Sequence, residues 1–216
     1  MSQNQDIIFP WVGIFKGGTM DVKYPHSVQC RNNIMIEIKL LTADTIPKLI
    51  EMYRALSEGE RAMLRRNVLD PKFAEQVRRD LEDEFVHRLT AWVGDIVVGS
   101  ISLHRGYARW MNHTAEARIV THPKYRRYGI ATVLFDEIIP FARTHNIEKV
   151  YANLLPSQQA AINLIKNIGF RREATLKHHV KDIYDRYHDM RIYSVDLEAA
   201  HKAMEELLVG FSGYAE

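Results

Sequence analysis

Ile119-Val-Thr-His-Pro-Lys-Tyr-Arg-Arg-Tyr-Gly-Ile-Ala131 is the stretch from which the fold of this 216-residue chain can be read. An apolar strand runs to Thr121, and Pro123 ends it because proline has no N–H to give to a ladder. Lys124, Arg126 and Arg127 follow, then Gly129, after which Ile130, Leu134, Ile138 and Ala142 recur at the spacing of one helix face. The first turn of a helix leaves backbone N–H groups unpaired, and its aligned dipoles add partial positive charge. Such donors suit a pyrophosphate, and glycine lets phosphate oxygens approach the chain closely. No Gly-Lys-Ser/Thr follows, so this is not a nucleotide P-loop, and the three-glycine dinucleotide fingerprint is missing. Taken alone, the stretch also fits a solvated basic turn before an ordinary helix.

Working outward, the spacing of apolar residues predicts strands and helices on both sides. Upstream, Ile34, Ile36, Ile38 and Leu40 alternate as one buried face of a strand. Asp44 or Thr45 then caps a helix with Pro47 in its first turn, Ser57 and Glu60 have capping-box spacing, and Asp70-Pro71 starts a third helix carrying Phe73, Val77 and Leu81. Gly94-Asp95 joins two strands, 89–93 and 96–103, in a hairpin, and 115–121 forms the next strand. Downstream, Pro140 removes one hydrogen bond from the central helix and predicts a kink. A strand over 150–155 leads to a helix capped by Ser157 and stopped by Gly169, and two strands near 170–180 and 187–195 close the sheet. The order predicts a mixed α/β (α+β) domain. Residues 1–33 read as an irregular arm, 34–197 as the domain, and 198–216 as an amphipathic helix and tail whose apolar stripe fits a homodimer or packing on its own domain.

Composition narrows the function classes. A formal net charge of +2 gives weak whole-molecule attraction to nucleic acid or anionic membrane. A nucleic-acid-binding role through Lys124 to Arg127 would need a longer basic surface. The single cysteine, Cys30, fits a reducing compartment, and the apolar stretch from Ile7 to Phe15 is too short to span a bilayer and lacks a basic lead-in. The expectation is a cytoplasmic protein with no membrane partner. The histidines have no metal-ligand spacing, so no metal is expected.

Two motifs carry a resemblance. Arg126-Arg-Tyr-Gly-Ile-Ala131 resembles the phosphate loop of the GNAT acyltransferase superfamily, Arg/Gln-x-x-Gly-x-Gly/Ala, with Val-Thr-His-Pro as its usual lead-in. Gln158-Gln-Ala-Ala-Ile-Asn-Leu-Ile-Lys-Asn-Ile-Gly-Phe170 is similar to the family's second segment, Asn-x-x-Ala-x-x-Leu-Tyr-x-x-x-Gly-Phe. The resemblance covers roughly residues 34–197. It implies a mostly antiparallel central sheet flanked by helices, and transfer of an acetyl or other short acyl group from acetyl-CoA to an amine.

Carried over by position, the resemblance gives site residues. Val120 and Thr121 would pair with the pantetheine arm, and a strand N–H near Thr121 would meet the oxyanion. Arg126, Arg127, Tyr128, Gly129, Ile130 and Ala131 would cradle the pyrophosphate. Gln158, where the family has asparagine, would touch pantetheine. Glu116 matches the position where some members place a general base; a surface carboxylate paired with Arg118 or a neighbouring strand is the plainer reading. His104, His113, His178 and His188 are alternative bases, and Tyr107 and Trp110 a candidate acceptor wall. Ile165 stands where many members have the tyrosine that protonates the departing thiolate. Isoleucine has no proton to give, which leaves a catalytically inactive acyl-CoA-binding module as the alternative to an N-acyltransferase.

Overall fold

The strand expected from residue 34 begins at Met35 in the computed structural model of the chain, which describes residues 23–200. Ile36 and Ile38 point into the core, whereas Leu40 ends the strand exposed. The elements are β1 (His26–Gln29), β2 (Met35–Leu40), α1 (Ile46–Arg54), α2 (Glu58–Ala62), α3 (Phe73–Glu82), β3 (Val86–Val93) and β4 (Ile96–Arg105). They continue with β5 (Thr114–Thr121), α4 (Ile130–Thr144), β6 (Lys149–Leu154), α5 (Gln159–Asn167), β7 (Arg171–Lys181) and β8 (Tyr187–Asp196).

These strands form one eight-stranded sheet in the order β1-β2-β3-β4-β5-β6-β8-β7. All neighbours are antiparallel except β5 and β6. The helix α4 connects that parallel pair, as a crossover must. No helix among the described residues is long and apolar enough to cross a membrane.

Two apolar clusters clothe the sheet. Leu89, Ala91, Ile101, Leu103, Ala115 and Ala117 meet Leu134, Phe135 and Ile138 of α4 on one face. On the other, Leu49, Met52 and Tyr53 of α1 and Phe73 and Val77 of α3 pack with Trp92 and Val97. Alternation along β3, β4 and β5 therefore sends every second residue toward α1 and α3, and this is the face that carries the polar side chains.

Three expectations are corrected. The stretch 26–29 is an edge strand paired with β2, so the sheet begins inside the predicted irregular arm, whose glycines and prolines masked a strand of only four residues. Thr45 is the N-cap residue of α1, one of the two expected, but its hydroxyl turns back to Thr42 in a capping box around the short 3-10 turn 43–45 instead of capping α1. The residue at the N-cap of α5 is Gln158 rather than Ser157. Pro140 lies inside α4, as expected, and the helix runs on past it to Thr144. Residues 197–200 are helical, and the remainder of the amphipathic helix expected there lies outside the described residues.

The fit of α4 on the sheet depends on Gly99 of β4. A Cβ at that position would lie 2.8 Å from Leu134 Cδ1 and 2.9 Å from Ile130 Cγ2, both fully buried. Any side chain there lifts α4 and shifts the loop that precedes it. Gly99→Val is expected to cost about 1–3 kcal/mol of stability by overpacking, read as a lower urea midpoint with an unchanged slope. An unaltered midpoint would show that α4 docks without this close approach.

Candidate active site

Backbone geometry builds the loop before α4. Arg127 has φ +67° and Gly129 has φ +86°, so two residues of the loop adopt the left-handed conformation. Alternation of this kind turns successive N–H groups to one side and forms an anion-binding concavity. Gly129 is the N-cap of α4 and has no side-chain cap, which leaves the first-turn donors of Ile130 and Ala131 for a ligand. Arg31 packs over this loop: its N–H donates to the Tyr128 carbonyl at 3.0 Å, and its Cγ lies 3.5 Å from where a Gly129 Cβ would be. Arg126 instead reaches Glu60 of α2 at 2.5 Å. Burial pushes the Glu60 carboxyl up, but the Ser57 hydroxyl, the Ser57 N–H and Arg126 outweigh it and hold it below its ordinary value.

Next to the loop the sheet opens. Strands β5 and β6 pair at only three positions, ending with Glu116 opposite Tyr151. Beyond them β5 runs on to Thr121 and β6 to Leu154 without bonding to each other. A cavity of about 190 Å³ occupies this cleft and extends under α1 and the segment between α2 and α3. Val120, Leu154, Gln158, Leu164 and Ile165 line one end. Ile165 is buried at 2% exposure. Gln158 accepts the Leu155 N–H on its side-chain oxygen at 2.8 Å, and its amide nitrogen remains to donate.

At the other end the register lines up polar residues across three strands. Arg88, Ser102 and Arg118 are direct neighbours on β3, β4 and β5, and His104 and Glu116 are neighbours in the next row. Glu116 is 5% exposed. One of its oxygens accepts from Arg65 and from Asn153 Nδ2 at 3.0 Å, the other from Arg118 Nε at 2.9 Å and Nη2 at 2.6 Å. Asp80, also buried, is held by Arg66 through bonds of 2.7 and 2.9 Å and by Arg88 at 3.8 Å. Arg88 further donates to the Tyr53 hydroxyl at 3.2 Å and to Ser100 Oγ at 3.3 Å. Two buried polar atoms of the lining have no partner, Arg88 Nε and Asn153 Oδ1. Buried groups left so are rare and mark places where a ligand completes the pairing.

Residues 49–170 match the acetyltransferase (GNAT) family. The chain belongs to that family. It is 27% identical over 135 residues to the thialysine N-epsilon-acetyltransferase of Caenorhabditis elegans, a match covering 62% of this chain and 82% of that protein. Its fold is that of the ribosomal-protein-alanine N-acetyltransferase of Brucella melitensis, with TM-score 0.66 and 22% identity over 74% of this chain and 98% of that one. It is also that of yncA, a putative acetyltransferase from Salmonella typhimurium solved with its cofactor acetyl-CoA, at TM-score 0.61 and 19% identity over 75% and 94% of the two chains. The protein is thus an acyl-CoA-dependent N-acetyltransferase that takes its acetyl group from acetyl-CoA and delivers it to an amine.

Within this GNAT fold the site residues read from the sequence fall in two groups. Val120, Gln158 and Glu116 line the cleft. Thr121 ends β5 opposite Gly99, and residues 126–131 form the loop outside the main cavity. Of the alternative bases only His104 reaches the cleft; His188 is tied to Asp182 at 2.8 Å in the turn between β7 and β8. Tyr107 and Trp110, expected as an acceptor wall, are 71% and 78% exposed and lie outside it, because their loop turns away from the cleft. Among the described residues no cluster could hold a metal ion. Sequence reading missed Arg31, Arg65, Arg66, Arg88 and Asn153. Ser102 and His104, like Glu116 and Arg118, lie two apart in otherwise apolar strands, and that polar alternation was the available signal.

His104 has a measurable consequence. Burial, then the guanidiniums of Arg118, Arg88, Arg66 and Arg65, push its imidazole down from 6.5 to about 3. Burial and the nearby His145 and Arg105 push His87 down to about 4. The unfolded chain binds these protons near pH 6.5 and the folded one only well below, so stability falls as pH drops through that window. The slope per histidine is at most roughly 1.4 kcal/mol per pH unit. Thermal unfolding followed from neutral to mildly acidic pH is expected to show a shallower decline in His104→Gln than in the wild type. Parallel curves would assign the acid sensitivity to other groups.

Proposed function

We propose that acetyl transfer takes place in the cleft where β5 parts from β6, with the acyl donor between the loop 126–131 and the polar row on β3, β4 and β5. The observation carrying this reading is the free edge of β5 beyond Glu116, flanked on one side by a nest of backbone N–H groups and on the other by the unpartnered Asn153 Oδ1. Bound there, acetyl-CoA supplies the acetyl group as a thioester. The backbone from Tyr128 to Ala131 holds the pyrophosphate, with Arg127 and Arg31 contributing charge at the rim. Val120 and Thr121 offer main-chain groups to the pantetheine arm, and a β5 N–H points at the oxygen that gains charge during attack. The Gln158 amide nitrogen donates to the same arm.

The proton inventory of the cleft shapes the rest. Ile165 donates nothing, and a thiol with a pKa near 8.5 leaves without a dedicated acid. Glu116 has both oxygens occupied by donors, so we assign it the positioning of Arg65, Arg118 and Asn153 rather than removal of the amine proton. The surplus of guanidiniums keeps a bound amine in its neutral, nucleophilic form, because nearby positive charge disfavours the ammonium, and the proton the nitrogen sheds as the amide forms passes to the departing thiolate. Cys30, buried and the only cysteine, fits a cytoplasmic setting.

Two variants test the donor site by calorimetric titration of acetyl-CoA and by release of free coenzyme A. Gly129→Glu puts a carboxylate where the phosphates lie, at a φ that side chains resist, and is expected to weaken acetyl-CoA binding more than about tenfold, or 1.4 kcal/mol. Arg31→Glu is expected to weaken it several-fold while leaving the fold intact. Wild-type affinity in both would place the pyrophosphate elsewhere.

A further inference from the structure

The charges around the acceptor end of the cleft do not balance. Four guanidiniums, Arg65, Arg66, Arg88 and Arg118, face two carboxylates, Asp80 and Glu116, so each carboxylate is shared by two arginines. His104 beside them is pushed down to about 3 and adds no charge near neutral pH. The excess is thus two positive charges in a partly enclosed space. Arg88 is the most telling of the four: its side chain is 8% exposed, its Asp80 partner is 3.8 Å away, and its Nε is buried without an acceptor. Burying a cation so poorly neutralised costs several kcal/mol, which an arriving anion would recover.

Resting on the acetyltransferase reading above, we infer that the amine accepted here is a small molecule that also carries a carboxylate, which lies among the guanidiniums of Arg65, Arg66 and Arg88 while its amine faces the thioester. The carboxylate supplies acceptors for a donor set that lacks them, and guanidinium forks match its two oxygens. Asn153 Oδ1, the unpartnered acceptor beside Glu116, takes an N–H of the amine. A polyamine is the wrong partner for this end of the cleft, since its second ammonium would meet four arginines. A long peptide is disfavoured by the roof: Met63, Leu64, Arg65, Arg66 and Val68, from the segment joining α2 to α3, all line the cavity.

The test is a comparison of kcat/KM over the common amino acids, each set against its carboxamide and its decarboxylated amine, with phosphoethanolamine alongside and acetyl-CoA binding measured separately by calorimetry. The inference expects at least one amino acid to be used more than about tenfold better than both of its neutral counterparts, the difference residing in KM. Arg66→Gln and Arg65→Gln are expected to bring the acid and its carboxamide within about twofold of each other. The ratio is the readout, since a merely structural loss lowers both substrates alike. Equal or better use of the carboxamides, of the decarboxylated amines or of phosphoethanolamine overturns the inference and leaves the transferase reading standing. Silence on every amino acid by a chain that binds acetyl-CoA also overturns it, whereas failure to bind acetyl-CoA at all removes the donor-site reading beneath it.

Discussion

Everything functional in this molecule follows from a ladder that stops early. Two parallel strands that stayed paired along their full length would close the sheet and leave no room for a ligand. Here β5 and β6 stay together for three residue pairs and then separate. The backbone groups that the two strands turn toward each other beyond that point have no partner across the gap, although β5 still pairs with β4 and β6 with β8, and such groups persist only where water or a ligand satisfies them. The cleft is the place the sheet leaves open, and each part of the site is arranged around it.

The parting strands also separate two electrostatic tasks. At the loop before α4, the field comes from backbone: left-handed residues and an uncapped helix start present N–H groups without adding mobile charge. At the acceptor end it comes from side chains, with two carboxylates keeping four guanidiniums in fixed positions. Backbone donors suit a group found in every turnover, while side chains can be exchanged to suit a different acceptor. The family's common chemistry and its varied acceptors are compatible with one fold for this reason.

The fold was legible because its signals are local. Alternation in β3 to β5, the Ser57–Glu60 capping box, the Gly129 start of α4 and the Gly169 end of α5 each arise within a few residues. The proposed donor half of the site could be named for the same cause, its loop being one continuous stretch. The acceptor half was not. Arg65 and Arg66 come from a segment with no regular structure, Arg88 from β3 and Asn153 from β6, and they gather around the cleft only through the register of the sheet and the laying of that segment across it. Glu116 itself could be picked out, but its burial and its arginine partners could not, because a polar residue in a strand looks the same facing solvent or a cleft. Edge strand β1 was missed because four residues following Pro25 carry too little pattern.

The short link between Arg31 and the Tyr128–Gly129 backbone has a bearing on where this protein begins as a physical object. Similarity to the family starts at residue 49, and the pattern of the sequence suggests a start at 34. Yet β1 covers an otherwise bare edge of β2, and the turn after it braces the loop before α4. The portion matched by the family and the portion that includes the brace are therefore different lengths of the same chain. A boundary taken from kinship alone would cut through the brace, exposing a strand edge on one side and freeing the loop on the other.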